Sequence, residues 1–319
     1  MNTDTSMQTT VERYIAHKRS LGCVFGTESF LLRSFADYVD RHVPCEPLTI
    51  KLALEWATSP GTGNRAYYAK RLDVLRGFAR YLVVTEPATQ VPPKGILGSS
   101  VSRIEPYIYT HEEIAALMQA ARERATSTRK ANPLRNATLI GLLACTGMRV
   151  GEALALDNAD VNLEERLISV RNSKNLPLRM VPITTCTARR LREYQLARDK
   201  CFGPGSDRSA FFLSARGGRL SYASFWWVFV RLRAQAGLGD DGAGRSPRIH
   251  DLRHTFACNH LLRAYRDGLD IDAAVQNLAR YLGHANLAAT YYYLTAVPAL
   301  FQECTNRLLR HGHRTGGDR

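Results

Sequence analysis

The sequence predicts a mainly α protein with a small β-sheet, arranged as an N-terminal helical bundle followed by a larger α+β domain. Three observations lead there. The first ninety or so residues carry four apolar patterns of helical period. A stretch rich in proline and glycine, Glu86 to Pro106, follows them. Beyond it the helical patterns are interrupted by one alternating segment, RLISVRNSKNLPLRMVPI, which reads as a β-hairpin. A length of 319 residues allows two domains, and 45% hydrophobic residues suffice for a core. The expected division is residues 1–90, a linker at 91–106, and 107–319.

Each element has its own justification. Met1 to about Thr9 is polar and expected to be loose. VERYIAHKRSLG, from about Thr10, is helical and closes at Leu21-Gly22. TESFLLRSFADYVDRHV makes a second helix, capped by Thr27 and ended before Pro44. LTIKLALEWAT is a third, stopped by Ser59-Pro60-Gly61. NRAYYAKRLDVLRGFARYLVV is the fourth and longest, with Tyr68, Leu72, Leu75, Phe78 and Leu82 at helical spacing. Pro87, Pro92, Pro93, Gly95, Gly98 and Pro106 mark the linker. THEEIAALMQAAR opens the second domain, with Thr110 and Glu113 spaced as a capping box. NPLRNATLIGLLACTG is an apolar helix from near Pro133 to Gly147, and Arg149 opens a short helix after it. Lys174 falls at the turn of the hairpin. TTCTARRLREYQLARDK and SYASFWWVFVRLRAQAGL are helical, with FFLS a short strand between them. The apolarity of the second of these places Trp226, Trp227 and Phe229 in the core rather than against bases. His250 begins a helix reaching about Arg266, DAAVQNLARYL forms another, and a short helix from about Asn286 carries Tyr293. Pro298 starts a last helix.

Charge bounds the partner. The net charge is +14, and it is uneven: residues 1–95 hold twelve Lys and Arg against nine Asp and Glu, the rest thirty-one against twenty. Such an excess points to a polyanion, nucleic acid before membrane. No apolar run approaches membrane-spanning length, and the first residues lack a basic and an apolar region, so neither a membrane partner nor a signal peptide is expected. The seven cysteines, Cys23, Cys45, Cys145, Cys186, Cys201, Cys258 and Cys304, are scattered without a C-x-x-C pair. Zinc is therefore not expected, and free thiols suit a reducing, cytoplasmic setting. No Walker A loop, no G-x-G-x-x-G before a helix and no acidic cluster for two metal ions is present, so no cofactor is expected.

The densest set of reactive side chains lies between Arg248 and Tyr293. His250 and Arg253 are three apart, so one helical turn puts both on one face. His284 follows Gly283 in a break between helical patterns, and Tyr293 comes nine residues later. Upstream, Arg149 stands in TGMRVGE and Lys174 in SKNLPLRMVP. Two arginines, one lysine, two histidines and a tyrosine suit a phosphodiester. Arginine forks bind phosphate oxygens in pairs, histidine exchanges a proton near neutral pH, and a tyrosine oxygen can attack phosphorus and remain bonded to it. Plainer readings stand beside these. Arg149 can pair with Glu152 or Glu165, a lysine at a hairpin tip is usually solvated, and a tyrosine in an apolar helix is usually core.

At these residues the chain resembles the tyrosine recombinases, or phage-integrase family. That family's signature is an Arg in T-G-x-R-x-x-E, a Lys on a β-hairpin ahead of R-x-V-P, H-x-x-R, and L-G-H followed nine residues later by Tyr. Here the positions read TGMRVGE, SKNLPLRMVP, HDLR and LGHANLAATYYY, all six filled in order. The resemblance is strong from about Tyr107 onward and holds only in outline before it. It implies a core-binding domain at 1–90, a catalytic domain at 107–319, and site-specific cutting and rejoining of DNA without metal or ATP. In those roles Tyr293 is the nucleophile that forms a 3′-phosphotyrosyl bond, with Tyr292 the fallback. Arg149 and Arg253 hold the phosphate oxygens, Lys174 is the general acid, His250 takes the tyrosine proton, and His284 hydrogen-bonds the phosphate. Leu294 stands where many relatives have a small or polar residue and a histidine. The implied partners are double-stranded DNA at specific sites and further copies of the chain, a tetramer on DNA, with Leu300, Phe301 and Leu308 packing on a neighbouring copy or on their own domain. Sister recombinases and accessory DNA-bending proteins are further partners compatible with it. On the fourth helix Arg65, Lys70, Arg71, Arg76 and Arg80 are candidates to track phosphates. A topoisomerase of type IB and a catalytically idle DNA-binding relative are the competing readings.

Overall fold

The computed structural model describes residues 6–44, 46–99, 106–123, 131–173, 176–203, 209–239, 246–283 and 290–291. The chain divides into two compact units, Met1–Ile104 and Glu105–Arg319. Helices dominate both, and a small antiparallel sheet lies in the second, as the sequence predicts.

The first unit holds four helices, α1 (Met7–Ser20), α2 (Gly26–His42), α3 (Ile50–Thr58) and α4 (Arg65–Leu82). Helix α1 starts earlier than periodicity suggests, because the Ser6 hydroxyl accepts the Thr9 N–H and caps it. Thr27 is not the cap of α2. The chain enters that helix through Phe25 in the left-handed region at φ +46, with no side-chain cap. The Phe25 ring meets Tyr14 edge-on at 5.7 Å, and this packing offsets the backbone cost. Thr49 and Asn64 cap α3 and α4. Val11, Ile15, Leu32, Phe35, Trp56, Leu72, Leu75, Phe78 and Leu82 fill one core.

Two residues of the expected phosphate-tracking set are corrected here. Arg71 is buried, its Nη2 donates to the Trp56 carbonyl at 2.7 Å, and its guanidinium lies 3.9 Å from the centre of the Trp56 ring. Arg76 is buried too. It donates to the carbonyls of Pro92 at 2.8 Å and Pro93 at 3.0 Å and pairs with Asp73. Both guanidiniums serve the bundle's interior, whereas Arg65, Lys70 and Arg80 are exposed. The same bonds change the picture of the expected linker. The Gln90 N–H donates to the Leu48 carbonyl at 2.7 Å, and Val91 and Leu97 pack on the core, so the proline-rich stretch begins as part of this unit.

In the second unit, α5 (His111–Glu123) starts with the expected capping box. The Thr110 N–H donates to Glu113 at 2.8 Å and the Glu113 N–H to Thr110 at 3.1 Å. Helix α6 (Ala131–Thr146) packs on α5 and on α8 (Thr185–Phe202), and α7 (Val150–Ala155) follows the turn at Gly147. The sheet runs β1 (Val161–Asn162), β2 (Leu167–Ser173), β3 (Leu176–Pro182), antiparallel throughout. Ile168 pairs with Val181 and Ser173 with Leu176. Phe211 to Ser214 form no strand; Ala210 and Leu213 make single bridges to Asp157 and Arg219.

Helix α9 (Tyr222–Gln235) overturns one expectation. Phe225, Phe229 and Leu232, spaced four and three apart, make its buried stripe. Trp226 and Trp227 therefore point away from the core, 40% and 61% exposed, with their rings edge-on at 4.8 Å. Helices α10 (Asp251–Arg266) and α11 (Ile271–Leu282) pack together around Ala257, Leu261, Val275 and Leu278. No described helix is long and apolar enough to cross a membrane. Thr290 and Tyr291, in the helix expected to carry Tyr293, are helical; Tyr293 and the helix expected after Pro298, with Leu300, Phe301 and Leu308, lie outside the described residues.

Candidate active site

The site grows from the turn between α6 and α7. Gly147 stands in the left-handed region at φ +60, and a Cβ there would lie 2.5 Å from Cδ1 of Phe256 on α10. Glycine thus allows both the turn and the close approach of α10. That approach brings buried Arg253 of α10 against the ends of α6 and α11 at once. Its Nη1 donates to the Gly147 carbonyl and its Nη2 to the Leu282 carbonyl, each at 2.7 Å.

Arg149 stands at the N-cap of α7 and reaches the same place from the other side. Its Nη2 donates to the Gly283 carbonyl at 3.2 Å, its Nη1 to Glu152 Oε1 at 2.8 Å, and its backbone N–H to Glu152 Oε2 at 2.9 Å. The intrahelical pairing with Glu152 is therefore present, and it accompanies the convergence with Arg253. Leu282 and Gly283 close α11, where carbonyls carry the negative end of the helix dipole, so two guanidiniums are accepted there. His284 is the next residue in sequence.

Arg179 on β3 completes the arrangement. Its Nη1 donates to the Leu282 carbonyl at 2.5 Å and its Nη2 to Glu152 Oε2 at 2.8 Å. Burial would raise the pKa of Glu152, but the Arg149 N–H and the charge of Arg179 outweigh it and hold the carboxyl below its ordinary value. Sequence reading used Arg179 only to set the register of the hairpin. A stronger signal was available: Arg179 and Val181 share a strand face, Val181 is buried, and a charge on a buried face requires a partner.

His250 occupies the N-cap of α10, with its side chain open to solvent and its ring edge-on to His254 at 4.8 Å. Enough protein still surrounds the ring for desolvation, and next Arg253, to lower its pKa, which favours the neutral imidazole at pH 7. Burial lowers His254 further, to about 4. The start of α10 is held by Arg248, whose N–H and guanidinium donate to buried Asp251, and by the Tyr109 hydroxyl, which donates to the Arg248 carbonyl at 3.0 Å.

Of the three adjacent tyrosines, Tyr291 is described. Its hydroxyl donates to Asp272 at 3.2 Å, and that bond, with the carboxylate's charge, raises its pKa. A phenol held protonated by a carboxylate is a poor nucleophile. Lys174, His284, Tyr292 and Tyr293 lie outside the described residues.

Likeness to known proteins gives the family and the fold. The model of the Phage integrase family matches residues 108–298. A proposed integrase/recombinase of Sinorhizobium fredii, y4rB, is 35% identical over 302 residues, 94% of this chain and 96% of that protein. The XerH site-specific recombinase, bound to palindromic difH substrate in a post-cleavage complex, superposes with a TM-score of 0.67 at 21% identity, covering 95% of this chain and 85% of that one. A lambda integrase tetramer bound to a Holliday junction gives 0.63 at 18% identity, covering 92% and 78%.

Proposed function

The chain belongs to the phage integrase family of tyrosine recombinases, which cut and rejoin DNA at specific sites, and we propose that it does so through Tyr293 with Arg149, Lys174, His250, Arg253 and His284 around the reacting phosphate. The observation that carries this reading is the meeting of Arg149 and Arg253 at the Leu282–Gly283 carbonyls, the segment that leads into His284 and Tyr293.

The Tyr293 oxygen attacks phosphorus in line and the bond to the 5′-oxygen breaks. The phenol proton passes to neutral His250, and Lys174 protonates the departing 5′-oxygen. Arg149 and Arg253 bind the non-bridging oxygens as charge builds on them, and His284 adds a hydrogen bond. The phosphotyrosyl ester conserves the bond, so a 5′-hydroxyl from another strand reverses the step without ATP. The substrate is duplex DNA carrying inverted half-sites, bound by several copies of the chain, with four in the strand-exchange assembly, as for lambda integrase on its junction. The first unit acts as the core-binding domain, gripping the duplex through Arg65, Lys70 and Arg80, while 107–319 carries the chemistry. The setting is the cytoplasm, and the likeness to an integrase/recombinase supports a mobile element as the DNA moved.

The test reads the DNA that flanks the gene for inverted repeats around a short spacer and builds a nicked duplex from them. The wild-type chain should accumulate a covalent DNA adduct, and Tyr293→Phe should form none. An adduct that persists in Tyr293→Phe would sink the assignment.

A further inference from the structure

Each of the two bonds that Arg179 makes among the described residues ends on an atom that one of the proposed phosphate-binding arginines also uses. The Leu282 carbonyl accepts from Arg179 at 2.5 Å and from Arg253 at 2.7 Å. Glu152 Oε2 accepts from Arg179 at 2.8 Å and from the Arg149 N–H at 2.9 Å. A single planar fork thereby spans the supports of both. We propose that Arg179 is a positioning residue that sets the spacing of Arg149 and Arg253 across the scissile phosphate.

A purely structural role fits the geometry poorly. A buried ion pair seldom stabilises a fold more than well-packed apolar side chains do. Arg179 moreover keeps its buried Nε without an acceptor among the described residues, a cost that a role in packing alone leaves unexplained. Its strand neighbours Leu178 and Met180 are 54% and 47% exposed, so β3 turns a charged side chain inward, beside buried Val181, and two apolar ones outward. Rigidity in the right geometry accounts for that inversion. The guanidinium fork holds two acceptors at a fixed separation, which an ammonium on a flexible stem does not. Misplacing either clamp arginine weakens its hold where charge develops and leaves ground-state binding, spread over many phosphates, largely intact.

The inference rests on Arg149 and Arg253 being the phosphate clamp, and the experiment separates the two. Single-turnover cleavage of the nicked duplex is measured for wild type, R179Q, R179K, R149Q and R253Q, on a phosphodiester and on a methylphosphonate at the scissile position. R179Q should cleave the phosphodiester roughly tenfold to a hundredfold more slowly, the size of effect seen when a supporting partner is lost. Its DNA affinity should stay within about threefold, and its defect should shrink on the methylphosphonate, which lacks one of the charged oxygens to be held. R179K should fall between, since one ammonium cannot reproduce the fork. R179Q that cleaves like wild type while R149Q is inactive overturns the proposal alone, as does an equal defect on both substrates. Normal cleavage by R149Q and R253Q overturns the clamp itself and Arg179 with it. If R179Q does not fold, folded R179K decides: full activity overturns the role, and a defect that shrinks on the methylphosphonate supports it.

Discussion

Glycine 147 carries as much of the site as any charged residue. It has no side chain, a positive φ, and Phe256 where a Cβ would stand. Gly147→Ala should therefore cost at least about 2 kcal/mol of stability, combining left-handed strain with overpacking. It should also slow cleavage more than it weakens DNA binding, because the carbonyl that Arg253 holds moves with the turn. Thermal melts beside single-turnover assays check both; unchanged melting would remove the steric argument. Tyr291 shows the same dependence on neighbours. Three consecutive tyrosines look alike in sequence, and the Asp272 carboxylate, nineteen positions away, distinguishes the first of them.

At the scale of elements, periodicity located the helices and alternation located the hairpin, since both patterns follow from repeat geometry alone. Their ends were less legible. The Ser6 cap and the Phe25 entry depend on one hydroxyl and one ring contact. Helix α4 shows why charge is harder to place than apolarity: its five basic residues divide into two that brace the bundle and three that face solvent. Replacing Arg65, Lys70 and Arg80 together with Gln should lower affinity for duplex and reduce the slope of log K against log salt by about 2–3 units. Arg71→Met should leave that slope unchanged and lower stability by about 1–3 kcal/mol, because it removes a buried charged hydrogen bond to the Trp56 carbonyl and the cation–π contact with the Trp56 ring. If Arg71→Met alone reduces the salt slope, the division is wrong. The Trp226–Trp227 pair was misplaced for a similar reason. In an aromatic-rich helix the hydrophobic count says core, but only one stripe fits inside, and Phe225, Phe229 and Leu232 fill it.

At the scale of the whole molecule, His254 and His250 at the start of α10 tie stability to pH. His254 titrates near 4 in the folded chain and near its ordinary value of 6.5 when unfolded. Between those values the unfolded state binds more protons, so stability is fully present above about 6.5 and falls as pH drops toward about 4. His250, lowered in the same direction, adds to the slope. Melting temperatures should decline across that window, and His254→Gln should flatten the decline; an unchanged slope would show that other groups dominate. The sequence by itself determined the fold class, the family, and a set of reactive residues in a diagnostic order, because period, spacing and residue chemistry are local properties of a chain. Only the tertiary structure decided which arginines meet, that Arg149 and Arg253 approach adjacent carbonyls 134 and 29 positions away, and that Arg179 spans their supports. Those partnerships are made across the fold, where burial leaves Arg179 and Arg253 no solvent to turn to, and no pattern along one strand or helix records who lies opposite.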